Sequence, residues 1–185
     1  MLGAAIIHPD VREVIPLMPE PLVKHDGTKK NDGERHAAKL FIAKLCKDHP
    51  HLKFIVMEES LRSKAPHIET LHDHHLRYML GVKEGDPSYL FTQVQAAEHA
   101  GRVTSDEWHD RAVGGVHRFR FVNDVPLNES NTDVQVNFIK YWEIGADKIQ
   151  PFRGVTDLRV GNRNVDHLMG VVGHGGRLEM RRCMR

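Results

Sequence analysis

Two adjacent glutamates close the apolar run FIVMEESL, and their position gives them a chemical role to fill. The residues from Phe54 to Met57 read as a short strand buried in the middle of a sheet. Glu58 and Glu59 then fall at its carboxyl end, where open α/β sheets gather ligands and metals. Carboxylates there suit Mg²⁺, which takes one or two of them and fills its shell with water and phosphate oxygens. The competing expectation is that both acids only solvate the exit loop.

A second set of residues is basic. In VHRFRFV, strand alternation places Arg118 and Arg120 on one face and Phe119 and Phe121 on the other. The arginine face can touch nucleic-acid phosphates, or the segment is an ordinary half-buried strand. Tyr141 and Trp142 in VNFIKYWEI read as core rather than as a stacking platform. Asp32 and Glu34 read as first-turn acids that favour a helix dipole. The string HDHH from His72 to His75 has no matching Cys or His pair at zinc spacing, so it reads as a solvated helix end. No Gly-rich phosphate loop, nucleophile elbow or HExxH occurs.

The elements that would position these residues follow from periodicity. LGAAIIH and REVIPLM read as short buried strands. A helix runs from about Asn31 to about Lys47, capped by Asn31 or Asp32, with Ala37, Leu40, Phe41 and Leu45 at helical spacing. Pro50 stops it, and KFIVM is the next strand. HIETLHDHH reads as helical and LRYMLGV as another buried strand. Asp86 and Pro87 then open a helix through PSYLFTQVQAA. After Glu98 the chain turns β-rich, through VHRFRFV, VQVNFIKYWEI and PFRGVTDL, an antiparallel region of roughly 60 residues. NVDHLMGVV starts a helix that dissolves into GHGGRLEMRRCMR.

The totals admit this and exclude other classes. The chain of 185 residues supports one domain with a real core, and 40% hydrophobic with 28% charged residues suits a globular protein. A net charge of +1 neither demands nor forbids a nucleic-acid partner. Cys46 and Cys183 cannot build a disulfide framework or a zinc cluster. The opening MLGAAII is too short for a signal peptide or membrane span, so a cytoplasmic chain with no membrane partner is expected.

Set in order, HPDVREVIPLMPEPL, HDGTKKNDGERHAAK, HPHLKFIVMEESLRSKAPHI, RYMLGVKEGD, RFRFVNDVPLN, VNFIKYWEI and VTDL resemble successive blocks of a bacterial insertion-sequence transposase of the DDE type, from about Ile6 to about Asp166. The resemblance implies an α/β chain with an incomplete ribonuclease-H-like fold and an inserted antiparallel β region. It implies a partial core over 1–97, a β-rich insert over 98–160, the start of a truncated helix over 161–172 and an out-of-frame tail over 173–185. In such transposases two aspartates and a glutamate hold two Mg²⁺ ions, which activate the attacking oxygen and stabilise the leaving one during in-line phosphoryl displacement on transposon-end DNA.

The chain departs from that pattern at each carboxylate. The family's first aspartate lies on a strand upstream of the HPD block. Glu59 stands at the second aspartate position, where a longer side chain displaces the metal-binding oxygens by about an ångström, poorly tolerated by octahedral Mg²⁺. Gly33 stands where relatives carry Cys. The third carboxylate belongs on a helix with an Arg-Trp-Lys-Ile run, and here the sequence is GHGGRLEMRRCMR. One permitted coding of that tail encodes the run in a shifted frame, which implies a frameshift near Gly170–His174. The gene's nucleotide sequence decides this.

Three functions are therefore in view. The first is a transposase fragment without catalysis, with Glu59 as its remaining catalytic and metal-binding position. The second is a non-enzymatic remnant that binds DNA through Arg118, Arg120 and the tail arginines, or binds a full-length transposase. The third is an unrelated α/β enzyme acting on a metabolite. A missing first strand would leave an unpaired sheet edge, and a lost final helix would uncover an apolar face; both favour self-association.

Overall fold

The computed structural model describes residues 1–8, 11–22, 30–58, 65–83, 88–110, 115–144, 151–165 and 179–182. It is a mixed α/β structure with three helices and a mixed sheet. Chain order is β1 (Ala5–His8), β2 (Val11–Pro16), α1 (Lys30–Asp48), β3 (Phe54–Glu58), α2 (Ala65–Asp73), β4 (Arg77–Gly81) and α3 (Ser88–His99). Then come β5 (Thr104–Asp110), β6 (Gly115–Asn128), β7 (Asn131–Ile144), β8 (Phe152–Thr156) and β9 (Glu179–Arg182).

Six strands run side by side in the order β3-β4-β8-β7-β6-β5. β3 and β4 are parallel, joined through α2, whereas β4–β8, β8–β7, β7–β6 and β6–β5 are all antiparallel. The β-rich stretch foreseen after Glu98 thus continues the sheet of the first half. On the other side, β9 lies between β3 and β1, parallel to β1 and antiparallel to β3, and β2 closes that edge. Both β1 and β3 are paired there, where an open edge was expected.

The helices share one face. In α1, Ala37, Ala38, Phe41, Ile42 and Leu45 are buried at three- and four-residue spacing, the stripe by which a helix seats on a sheet. Leu40, expected in that stripe, is 47% exposed, and Ile42 takes its place. The helix begins at Lys30, so Asn31 and Asp32 sit inside its first turn rather than at its cap. With Ile68 and Leu71 of α2 and Leu90 of α3, this stripe packs on Phe54, Val56, Tyr78, Leu80, Phe138 and Val155. Alternate strand residues (Ile55, Met57, Met79, Phe119, Phe121 and Ile139) form a second core on the opposite face, closed by Val160 and Val165. REVIPLM departs from its expected burial: as an edge strand, β2 leaves Val14 and Ile15 each 58% exposed.

Two helices end by the same device. Arg102 N–H bonds Ala97 C=O and Gly101 N–H bonds Glu98 C=O, with Gly101 at φ 68°. This left-handed turn closes α3 and directs the chain into β5. At the end of α2, Leu76 N–H bonds Leu71 C=O and His75 takes the left-handed position at φ 54°. His72 and His75 are exposed, consistent with a solvated helix end.

Asp157, just past β8, fastens β8 to β4. Its carboxylate accepts the Tyr78 N–H at 3.0 Å and pairs with Arg77 at 2.9 Å, while Thr156 donates its hydroxyl to Tyr78 C=O at 2.6 Å. Burial pushes the Asp157 carboxyl above the ordinary aspartate range, opposed by the Tyr78 N–H and by Arg77. In β8 itself, a Cβ on Gly154 would lie 2.7 Å from the Phe152 ring and 3.1 Å from Leu80 O, so the close strand approach needs glycine there.

Candidate nucleic-acid interface

Arg118 and Arg120 lie on β6, and their neighbours Phe119 and Phe121 enter the core of the opposite face. The arginines therefore stand on the side that carries the helices. Strand register supplies what the β6 sequence alone cannot. Arg120 is directly opposite Lys140 of β7, and Lys140 is directly opposite Arg153 of β8. Three cations thus form a row across three adjacent strands. A second row beside it runs from Glu107 of β5 through Arg118 to Trp142 of β7.

Directly opposed side chains have Cβ atoms about 4.5–5.5 Å apart, and like charges at that spacing are destabilising. The row is tolerated in part because acids reach it. Glu98, in the last turn of α3, pairs with Arg120. Glu107 pairs with Arg118 at 2.5 Å and with His109 at 3.1 Å. The Arg120 hydrogen bond holds the Glu98 carboxyl below the ordinary glutamate range, and the Arg118 hydrogen bond does the same for Glu107. Lys140 Nζ lies 5.4 Å from the centre of the Trp142 ring, a cation–π contact.

α3 does not lie flush on this part of the sheet. Between them is a cavity of about 180 Å³ lined by Phe91, Val94 and Phe138 together with Arg120, Lys140 and Arg153. Phe91 and Phe138 meet edge to face, 5.8 Å between centroids. A shallower groove beside it is lined by Glu107, Arg118 and Trp142. Neither Tyr141 nor Trp142 is fully buried. Tyr141 stacks with Phe119 and hydrogen-bonds His117 at 2.8 Å on the far face, so only Trp142 belongs to the basic surface.

The carboxylate side of the expectation divides differently. Glu59 lies outside the described residues. Glu58 ends β3, 4% exposed, with its Oε1 bonded to His67 Nε2 of α2 at 2.9 Å. Its Oε2 is buried with no hydrogen-bond partner among the described residues. Glu58 is thus a core carboxyl paired with a helix histidine, whereas loop solvation was one expectation for it. Among the described residues no three His, Cys, Asp or Glu side chains converge. The Mg²⁺ expectation therefore rests on Glu59 and on the resemblance alone.

No family model matches the chain, and no curated protein matches it. Among the described residues no helix is long and apolar enough to cross a membrane. Lys140, Arg153, Glu98 and Glu107 were not singled out from the sequence. Alternation in NFIKYW could have placed Lys140 opposite Ile139 and Tyr141, but only strand register brings it beside Arg120.

Proposed function

We propose that this chain is of transposase lineage and retains DNA binding without catalysing transposition. In the resembled family the chemistry is metal-dependent phosphoryl transfer on transposon ends, with Mg²⁺ held by three carboxylates acting as a unit. Here Glu59 stands at one of those positions in place of aspartate, and altering a member of such a set removes most of the activity. The observation that carries the binding reading is the in-register row Arg120–Lys140–Arg153, flanked by Arg118 and Trp142. Such a surface suits phosphate oxygens, because guanidinium forks match their geometry and the half-exposed ring lies under a cation.

The partner is DNA read through its backbone, with affinity falling steeply as salt rises. Gel shifts of the full chain on duplex DNA across a salt series test this; absence of any shift at low salt would sink the binding reading. Incubation of supercoiled and transposon-end DNA with Mg²⁺ or Mn²⁺ tests the rest. The expected result is no nicking, and cleavage abolished by Glu59→Ala would restore a working enzyme. A full-length transposase as the partner is the second reading, supported by the exposed Val14 and Ile15 of the edge strand β2.

A further inference from the structure

The cation row has a property that contact with a DNA backbone does not use. It lines a cavity whose other lining residues are largely aromatic and aliphatic. Lys140 stands between two arginines, one on each neighbouring strand, and all three line that cavity. Like charges set directly opposite one another oppose strand pairing, and an anion bound among these three would lessen that repulsion. Glu98 supplies one negative charge, and it is the one acidic residue among the described lining residues. The apolar lining asks for something other than a bare anion. Phe91 and Phe138 meet edge to face at 5.8 Å, with Val94 beside them, an apolar wall against which a flat ring can lie.

We propose that the cavity between α3 and β6–β8 binds a phosphate monoester carrying an aromatic ring, phosphate against Lys140 and its flanking arginines and ring against Phe91 and Phe138. A dianionic phosphate suits a lining with more cations than acids, and arginine engages it through two parallel hydrogen bonds. A carboxylate would satisfy fewer donors. The proposal goes beyond DNA binding, because it concerns a small-molecule site between α3 and the sheet and does not require a polynucleotide.

Titration calorimetry of the full chain at low salt, with phenyl phosphate, inorganic phosphate and phenol, tests it. Phenyl phosphate should bind saturably at one site, about tenfold tighter than either part alone, the factor set by one further good contact. Lys140→Gln should weaken it by about tenfold, the effect of one lost charge-assisted hydrogen bond. That variant should also melt at a higher temperature without ligand, since it removes the like-charge row; this confirms folding and reads the strain directly. Phe91→Leu should erase the preference for phenyl phosphate over inorganic phosphate. Equal binding of the two anions, or an unchanged affinity in Lys140→Gln, would overturn the proposal. Duplex DNA is titrated in parallel. Phenyl phosphate binding without DNA binding supports the cavity and removes the DNA reading, while DNA binding without phenyl phosphate binding does the reverse.

Discussion

Glu98 on α3 and Arg120 on β6, 22 residues apart, are bonded to each other across the mouth of a cavity. The acid is delivered by the last turn of a helix and the base by a strand, so the pair joins the helical layer to the β-rich half. It also takes up one nitrogen, Nη2, of the guanidinium that a phosphate would engage.

Removing that competitor should strengthen DNA binding. Glu98→Gln is expected to raise affinity for duplex DNA by about threefold to tenfold at low salt, and to steepen the slope of log affinity against log salt by up to about 0.9, one additional phosphate contact. Fluorescence anisotropy across a salt series reads both quantities. Unchanged binding would mean that Arg120 does not reach the backbone.

Deleting the cations should act uniformly over DNA sequences. Lys140→Ala is expected to weaken duplex binding and to lower the salt slope by about 0.9, and Arg120→Ala and Arg118→Ala to do the same once Glu98 and Glu107 are replaced by Gln, because phosphate contacts carry little sequence information. A loss confined to one DNA sequence would point to base readout instead. Lys140→Ala should be the least disruptive to folding, since it interrupts a row of like charges.

Acid should open the same surface. The carboxyls of Glu98 and Glu107 are held low by their arginines. The stability these pairs contribute is present above the ordinary glutamate range and is lost as pH falls through their lowered values. DNA affinity should therefore rise as pH drops through that window, for as long as the chain remains folded. Glu98→Gln with Glu107→Gln should abolish the rise, and a rise that persists in the double variant would assign it to another group.

Asp157 should behave in the opposite sense. Burial raises its carboxyl above the ordinary value. Its contribution is therefore greatest in acid, below the unfolded value, and is lost as pH rises through the folded one. Urea unfolding of wild type and Asp157→Asn should show the wild type losing ground to the variant as pH rises through that window. Asp157→Ala, which leaves the Tyr78 N–H without an acceptor, should cost about 1–3 kcal/mol below that window.

The buried Glu58–His67 pair gives a stability test near the strand end. His67→Ala removes the hydrogen-bond partner of a carboxyl that is 4% exposed, and should destabilise the chain by about 1–3 kcal/mol or more. Glu58→Gln keeps a partner for the ring and should cost less. If the two variants unfold at the same urea concentration, the pair contributes no specific interaction.

Much of the fold is legible in local pattern. The buried strands FIVME and RYMLG, the helix closed before Pro50 and the outward alternation of Arg118 and Arg120 all follow from periods of two and 3.6, because burial of one face is a local constraint. The failures are instructive in the same terms. Leu40 fits a helical spacing but sits beyond the width of the buried stripe. Val14 and Ile15 have strand propensity but lie in an edge strand with no layer over them. Neither distinction exists until the neighbouring elements are in place.

The candidate surface divides along that line. The sequence by itself determined that Arg118 and Arg120 share a face, because alternation needs nothing outside β6. It determined the acids at the end of FIVME and the resemblance on which the transposase reading stands. Only the tertiary structure decided that Lys140 and Arg153 stand beside Arg120, that Glu98 reaches it from α3, and that Glu58 turns to His67. Strand order and register are set by which faces bury together across long stretches of chain, and a one-residue slip would turn Lys140 to the other face and dissolve the row.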